Sequence, residues 1–397
     1  MDDLTTFDAL VVIAVILSRL VVPLLIIRYP LPAIVACLVI DAADQSIFQA
    51  LAPGADLAGY QSYDKALDIY YLVIAYVATL RNWTNQPAVY VARFLIFYRL
   101  IGVALFELGV PLPDVLEEIL GERGWLFIFP NTFEYFFIFY EAVRLFWDPR
   151  RMSPRVLVGA AAFIWIFIKL PQEWWIHIAQ LDMTDFIQET IFGVEPGSPW
   201  VDTFMNRPWI VVLAVVVVAA LAYAAWWLMK HKLPPRDRAL TIDADAEPSR
   251  EVPAERLAAE RRLMAQRVLR PDLVEKLVMI GLVSVIFGQM LNVRSEPLEL
   301  TLLVSIVVVA NAAMSTWLER RGFGPVAALR QFILTGLLNL AIFIALVLIL
   351  QFISSEPVEW RNLGFFLLLL TLLITLYDRY RPEYRARFAT DQSTVPG

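Results

Sequence analysis

Eleven stretches of mostly apolar residues, most of them about 20 residues long, follow one another along this 397-residue chain, and they restrict its fold more than any other feature. An α-helix rises ~1.5 Å per residue, so about 20 residues cross the ~30 Å hydrocarbon layer of a bilayer. Bounded by Pro, charge or turn residues, the stretches run over 7–27, 32–51, 67–80, 88–108, 125–146, 156–177, 209–229, 273–291, 298–318, 328–352 and 363–377. The expected fold is therefore an all-α polytopic integral membrane protein of about 11 transmembrane helices, with 67–80 the shortest and most polar of them. Composition points the same way. The chain is 59% apolar and 18% charged, against a typical ~45–50% and ~25%, and its mean hydropathy is +0.62.

Lys and Arg are retained in short cytoplasmic loops, so their distribution orients the spans. Arg144, Arg150, Arg151 and Arg155 crowd one loop, and the next carries Asp182, Asp185, Glu189, Glu195 and Asp202. Basic residues return between Lys230 and Arg270, at Arg320, Arg321 and Arg330, and at Arg379, Arg381, Arg385 and Arg387. Eleven crossings put every strongly basic segment inside, the N-terminus outside and the C-terminus in the cytoplasm. Residues 1–180 then form a charge-bearing six-helix bundle, 181–207 an external loop, and 208–230 a single anchor-like helix. Residues 231–271 form a cytoplasmic linker with an amphipathic helix, 272–378 a four-helix apolar bundle, and 379–397 a basic tail. The linker has Pro and acidic composition around 243–248. Its stripe of Ala254, Leu257, Ala258, Met264, Ala265 and Val268 among arginines fits either a surface helix on anionic lipid or a solvated one.

Charge within the bilayer is costly, so such residues face the bundle interior and pair. Asp41, Asp44 and Gln45 share one helical face, as do Asp64, Asp68 and Tyr71, and together they could form an acidic mouth. Asn131, Glu134 and Glu141 share a face of the span that Pro130 kinks, and Lys169, Glu173 and His177 recur every four residues beside Pro171. The deep acids Asp41, Asp44, Asp68, Glu107, Glu134, Glu141 and Glu173 exceed the deep bases Arg19, Arg93, Arg99 and Lys169 by three. Such a surplus raises carboxyl pKa values and invites protons or cations. Structural ion pairs that specify helix packing are the other explanation. Six residues turn a helix by ~600°, so Arg93 and Arg99 lie on different faces, unlike a voltage-sensor stripe. Each suits a separate carboxylate or an anionic ligand group.

Other functions lack their parts. No Walker A, GxGxxG, HExxH or GxSxG sequence is present, which removes nucleotide-driven pumping and the common hydrolase mechanisms. One cysteine, Cys37, and two histidines, His177 and His231, offer too few ligands for a zinc, copper, haem or iron–sulfur site. No cofactor, metal, catalytic set or nucleic-acid partner is therefore expected. Asn82-Trp83-Thr84 matches the glycosylation sequon but falls on the cytoplasmic side. The N-terminal run lacks the basic start and cleavage site of a signal peptide.

The expectation is a transporter or channel-like protein of the plasma membrane, with the Ala-, Val- and Arg-rich composition common in bacteria. Its cation or proton pathway comprises Asp41, Asp44, Asp68, Glu134 and Glu141. Arg19, Arg93, Arg99, Lys169 and Glu173 serve as charge partners or anionic-ligand groups. The alternatives are a non-catalytic membrane subunit or assembly factor, and an intramembrane enzyme acting on a lipid headgroup. The bilayer, anionic lipid at the linker helix, and a second copy or a membrane partner subunit are the expected partners.

Overall fold

The structure is a computed structural model, and it describes residues 6–52, 57–181, 183–231, 234–246, 251–266, 271–291 and 360–388, with single positions at 309, 333, 334, 337, 338, 340, 341 and 344. Those residues are all-helical wherever they are regular, and no strand occurs among them. The expected ninth and tenth spans lie outside the described residues, except for those single helical positions.

Helix α1 (Thr6–Val21) continues as a 3-10 turn through Ile27, where Pro23 fits the first helical positions. Helices α2 (Pro30–Leu51) and α3 (Leu57–Asn82) follow, then α4 (Gln86–Glu107), which Asn85 caps by accepting from the Ala88 N–H. Short α5 (Asp114–Leu120) and α6 (Gly124–Ile128) lead to α7 (Thr132–Phe146). Helix α8 (Pro154–Phe163), capped by Ser153, runs on through a π segment (Ile164–Lys169), α9 (Leu170–Glu173) and a second π segment (Trp174–Ile178). After α10 (Met183–Phe186) and α11 (Trp200–Asn206), α12 (Pro208–His231) turns away at 91°. The described remainder is α13 (Ala254–Gln266), α14 (Pro271–Met290) and α15 (Trp360–Phe388).

Five of these helical runs are long and apolar enough to cross a membrane: Thr6–Ile27, Gln86–Glu107, Pro154–Ile178, Leu273–Met290 and Arg361–Phe388. The bent pair of α11 and α12 makes a sixth if it is one span. Helices α2 and α3 match them in length and carry the charge.

The expected fifth span is broken rather than kinked. Phe129 precedes Pro130, and the proline ring excludes the α conformation there, so Phe129 adopts φ −111°, ψ 66° and helix formation stops before restarting at Thr132. Gly102 of α4 packs on this break so closely that an added Cβ would overlap the Phe129 Cβ. Gly102→Ala is expected to destabilise the protein by about 1–3 kcal/mol, as overpacking does. A thermal melt in detergent identical to wild type would refute this close approach.

The expected separation into a charged half and an apolar half meets one shared core. Side chains of α2, α3, α4, α7 and α8 form a single buried cluster with Met279, Ile280, Val283 and Phe287 of α14 and Phe366, Leu370, Leu373 and Ile374 of α15. Helix α15 packs along α3, and its Arg387 donates to the carbonyls of Arg81 (2.6 Å) and Trp83 (2.9 Å), a cation on the negative end of the helix dipole. Glu275 of α14 binds Arg93 (3.3 Å) and Arg381 (2.8 Å) and accepts from Tyr76. The sequence reading missed Glu275 because it lies at a span end, where charge is inexpensive.

The linker does not hang free. Residues 234–246 lie as a strap over the end of the bundle: Asp237 pairs with Arg151 (3.0 Å), Asp243 with Arg28 (2.8 Å) and Asp245 with Arg81, while the Ala244 N–H donates to the Arg28 carbonyl. Its acidic composition, which reads as disorder, matches the arginines it covers. Hydrogen bonding from Arg28 holds the Asp243 carboxyl below its ordinary value. A lowered folded-state pKa stabilises above the unfolded value of about 3.9 and is lost as pH falls through the folded value. Proteolytic cleavage within 234–246 is therefore expected to accelerate in acid, and in Asp243→Asn already at neutral pH. Equal cleavage rates at both pH values would remove the ionic latch.

Candidate functional site

Arg19, near the end of α1, is enclosed by four carboxylates. Its Nη1 meets Asp44 at 2.6 Å and also Asp64, and its Nη2 meets Asp41 at 2.6 Å and Asp68 at 2.5 Å. The Tyr60 hydroxyl donates to Asp44 at 2.7 Å and accepts from Arg19 Nη1 at 3.1 Å. The helical repeat explains the gathering: 41 and 44 are one turn apart on α2, and 60, 64 and 68 stand in a row on α3. Asp64 was expected at the acidic mouth but not in the pathway, and Tyr60 was outside the expected set, although its four-residue spacing from Asp64 was an available signal.

One positive charge faces four negative ones. If it is assigned to Asp44, then Asp41, Asp64 and Asp68 have no further cation among the described residues. Arg19 and Asp44 are only 4% and 5% exposed, whereas Asp41, Asp64 and Asp68 are 35%, 30% and 41% exposed, so the cluster has a buried floor and an open rim. Carboxylate oxygens of Asp41, Asp44 and Asp64 lie within 4.8 Å of one another. At that separation two ionised carboxylates repel by about 3–4 kcal/mol at an effective dielectric constant of 20. Oxygen ligands of this kind suit a hard cation, but the guanidinium sits among them, so a cation would enter only as Arg19 moved aside.

The break in the fifth span forms a second polar centre beside the first. Tyr71, one turn beyond Asp68, donates to Glu134 Oε1 at 2.7 Å, and Asn131 Nδ2 donates to Glu134 Oε2 at 2.8 Å. Lys169 Nζ lies 4.0 Å from Glu134, 3.0 Å from the Gln172 amide oxygen and 4.2 Å from the centre of the Tyr135 ring. Glu173 accepts from the Asn131 N–H at 2.9 Å, capping the start of α7, and binds His177 Nε2 at 2.9 Å. Among the described residues Arg99 pairs with no carboxylate: its Nη1 donates to the Phe129 carbonyl (3.0 Å), freed where α6 ends. Pro171 has no N–H to give, and the helix widens around it. The Leu170 and Ala179 N–H groups reach five residues back, to Trp165 and Trp174, the π geometry that often marks functional segments.

Other expected residues are elsewhere. Glu141 is fully buried in a closed unit, with Arg144 Nε at 2.6 Å and the Trp83 indole N–H donating at 2.7 Å. Between Glu134 and Glu141 stand buried Phe136, Phe137 and Tyr140, and Trp83 stacks on Tyr140 with ring centres 3.8 Å apart. Arg93 belongs with Tyr76 and Glu275 at that same end. The structure thus joins Arg19, Asp41, Asp44, Asp68, Glu134, Lys169 and Glu173 in one neighbourhood, whereas Glu141 pairs with Arg144 beside the Trp83 aromatic group and Arg93 pairs with Glu275. No protein-family model matches the sequence, and neither a curated protein nor a solved structure is significantly similar to it.

Proposed function

We propose that the chain is a multi-pass membrane transporter or channel-like protein whose acidic cluster takes up protons or a small cation. The observation that carries this reading is one guanidinium shared by four carboxylates, three of them partly exposed. Neutrality then requires positive charge from outside, and a cation that competes with Arg19 for the same oxygens supplies it. In the eleven-span plasma-membrane arrangement with the N-terminus outside, the cluster lies in the outer half of the bilayer and the strap on the cytoplasmic side. Tyr71 and Glu134 extend the polar line inward, and the layer of Phe136, Phe137, Tyr140 and Trp83 closes it. The broken fifth span and the π segments are the elements able to shift during opening, because their backbone hydrogen bonds are already rearranged.

Proton and cation flux in liposomes containing the purified protein tests this. Flux under an imposed gradient is expected for wild type and is expected to fall to the level of empty liposomes in Asp68→Asn and Glu134→Gln, with both variants folded. Full flux in both variants, or none from folded wild type, rejects the reading.

A second reading is favoured by α12, whose described side chains are exposed on nearly all sides, from Trp209 and Val212 to Leu221 and Tyr223. A membrane subunit would use such a helix to meet a partner. A stoichiometric partner after gentle purification, together with absent flux, selects it.

A further inference from the structure

Where the ends of α7 and α12 meet the strap lies a cleft of about 370 Å³. Phe146 and Trp147 come from the end of α7, Trp226 and Lys230 from the last turns of α12, and Pro234 and Arg236 from the strap. The walls are fixed in place. The Trp147 indole N–H donates to the Pro234 carbonyl at 3.0 Å, and the Asp237 N–H donates to the Phe146 carbonyl at 3.3 Å. Arg236 lies 4.8 Å from the centre of the Phe146 ring and Lys230 lies 5.0 Å from that of Trp226.

Charge distinguishes these two cations from their neighbours. Arg150, Arg151 and Arg238 around them are paired with Asp148 or Asp237, at 2.8, 3.0 and 3.5 Å. Among the described residues Lys230 and Arg236 have no carboxylate partner, and no acid lines the cleft. Two cations with no acid in the lining suit an anion. A quaternary ammonium group suits it less, since the protein's own cations already lie over the Phe146 and Trp226 rings and would repel it. The rest of the lining is apolar and aromatic, and its α12 wall belongs to a helix whose Val, Ala and Leu side chains are exposed. Tryptophans at the end of such a helix mark headgroup level in a bilayer.

We infer that this cleft binds one anionic phospholipid, its phosphate between Lys230 and Arg236, its glycerol region against Trp147 and Trp226, and its acyl chains along α12. The lipid would fill the gap between α12 and the bundle and hold the strap closed. Phosphate is the shared chemistry of a lipid headgroup and of free phosphate. The acyl-chain contact assigns the lipid.

The test titrates phosphatidylglycerol or phosphatidylcholine into the full-length protein in detergent and counts bound lipid by native mass spectrometry. Wild type is expected to hold one phosphatidylglycerol about tenfold more tightly than phosphatidylcholine. Lys230→Gln/Arg236→Gln is expected to lose that preference, and Trp226→Ala to weaken both lipids, with melting temperatures in detergent unchanged because these side chains are half-buried or exposed. Equal phosphatidylglycerol binding by wild type and the double variant overturns the site. Complete displacement of the lipid by inorganic phosphate, with no effect of Trp226→Ala, overturns the lipid assignment in favour of a free phosphate. Flux is not read, so failure here leaves the acidic cluster's role untouched.

Discussion

Arg19→Gln is expected to remove most of the folded protein at neutral pH. The substitution deletes the guanidinium that binds Asp41, Asp44, Asp64 and Asp68 together and leaves Asp44, 5% exposed, among like charges. Removing one partner of a buried pair costs about 3–5 kcal/mol, a large part of a typical total of ~5–15 kcal/mol. Arg19→Lys keeps the charge, but an ammonium is a compact point donor that cannot span four carboxylates, so an intermediate loss is expected. Adding Asp44→Asn to Arg19→Gln should restore part of the stability by neutralising the floor of the cluster. Monodispersity and thermal unfolding in detergent measure all three. A wild-type melt for Arg19→Gln would mean that the cluster's stability does not depend on that charge, and the charge argument for uptake would fall with it.

The second large effect is expected at Glu141, with a contrast at Glu134. Glu141→Gln withdraws the carboxylate that pairs with buried Arg144 and accepts from the Trp83 indole, at a cost of about 3 kcal/mol or more, because a buried charge loses its counter-charge. Flux per folded molecule should be unchanged, since the aromatic layer separates this unit from the acidic cluster. Glu134→Gln should do the reverse. An amide can still accept from Tyr71, and buried Lys169, which loses its carboxylate 4.0 Å away, keeps the Gln172 oxygen, so a smaller loss of stability than in Glu141→Gln is expected while the titratable group on the polar line is gone. Glu141→Leu combined with Arg144→Met is expected to recover stability, since apolar pairs of similar volume replace buried ion pairs with little loss. Should Glu141→Gln stop flux at normal stability, the route passes through the layer and the closed unit is a gate instead.

These two glutamates show how far residue spacing reaches. Positions 134 and 141 share a helical face, and the sequence reading joined them in one route for that reason. Sharing a face says nothing of what packs nearby, and the aromatic group of Phe136, Phe137, Tyr140 and Trp83 joins α7 to the turn that follows α3. Arg144 reads as a loop cation by position, and it folds back one turn onto Glu141. The strap's contacts were likewise beyond composition. Acidic and Pro-containing composition reports that a segment cannot build its own core, and it is silent about arginines elsewhere that can hold it.

The sequence by itself determined the helical, membrane-compatible class, because a run of about 20 apolar residues is a local property that needs no partner to be read. It also determined that charge concentrates in the first half and that Asp41 with Asp44, and Asp64 with Asp68, each lie on one face, because the helical period fixes what neighbours what along one element. Only the tertiary structure decided that both faces converge on Arg19, that Arg99 serves the carbonyls of a broken helix, and that α14 and α15 share the core of the first bundle. Each of these joins residues distant along the chain. The geometry of charge across helices is set by packing, and no period within one helix contains it.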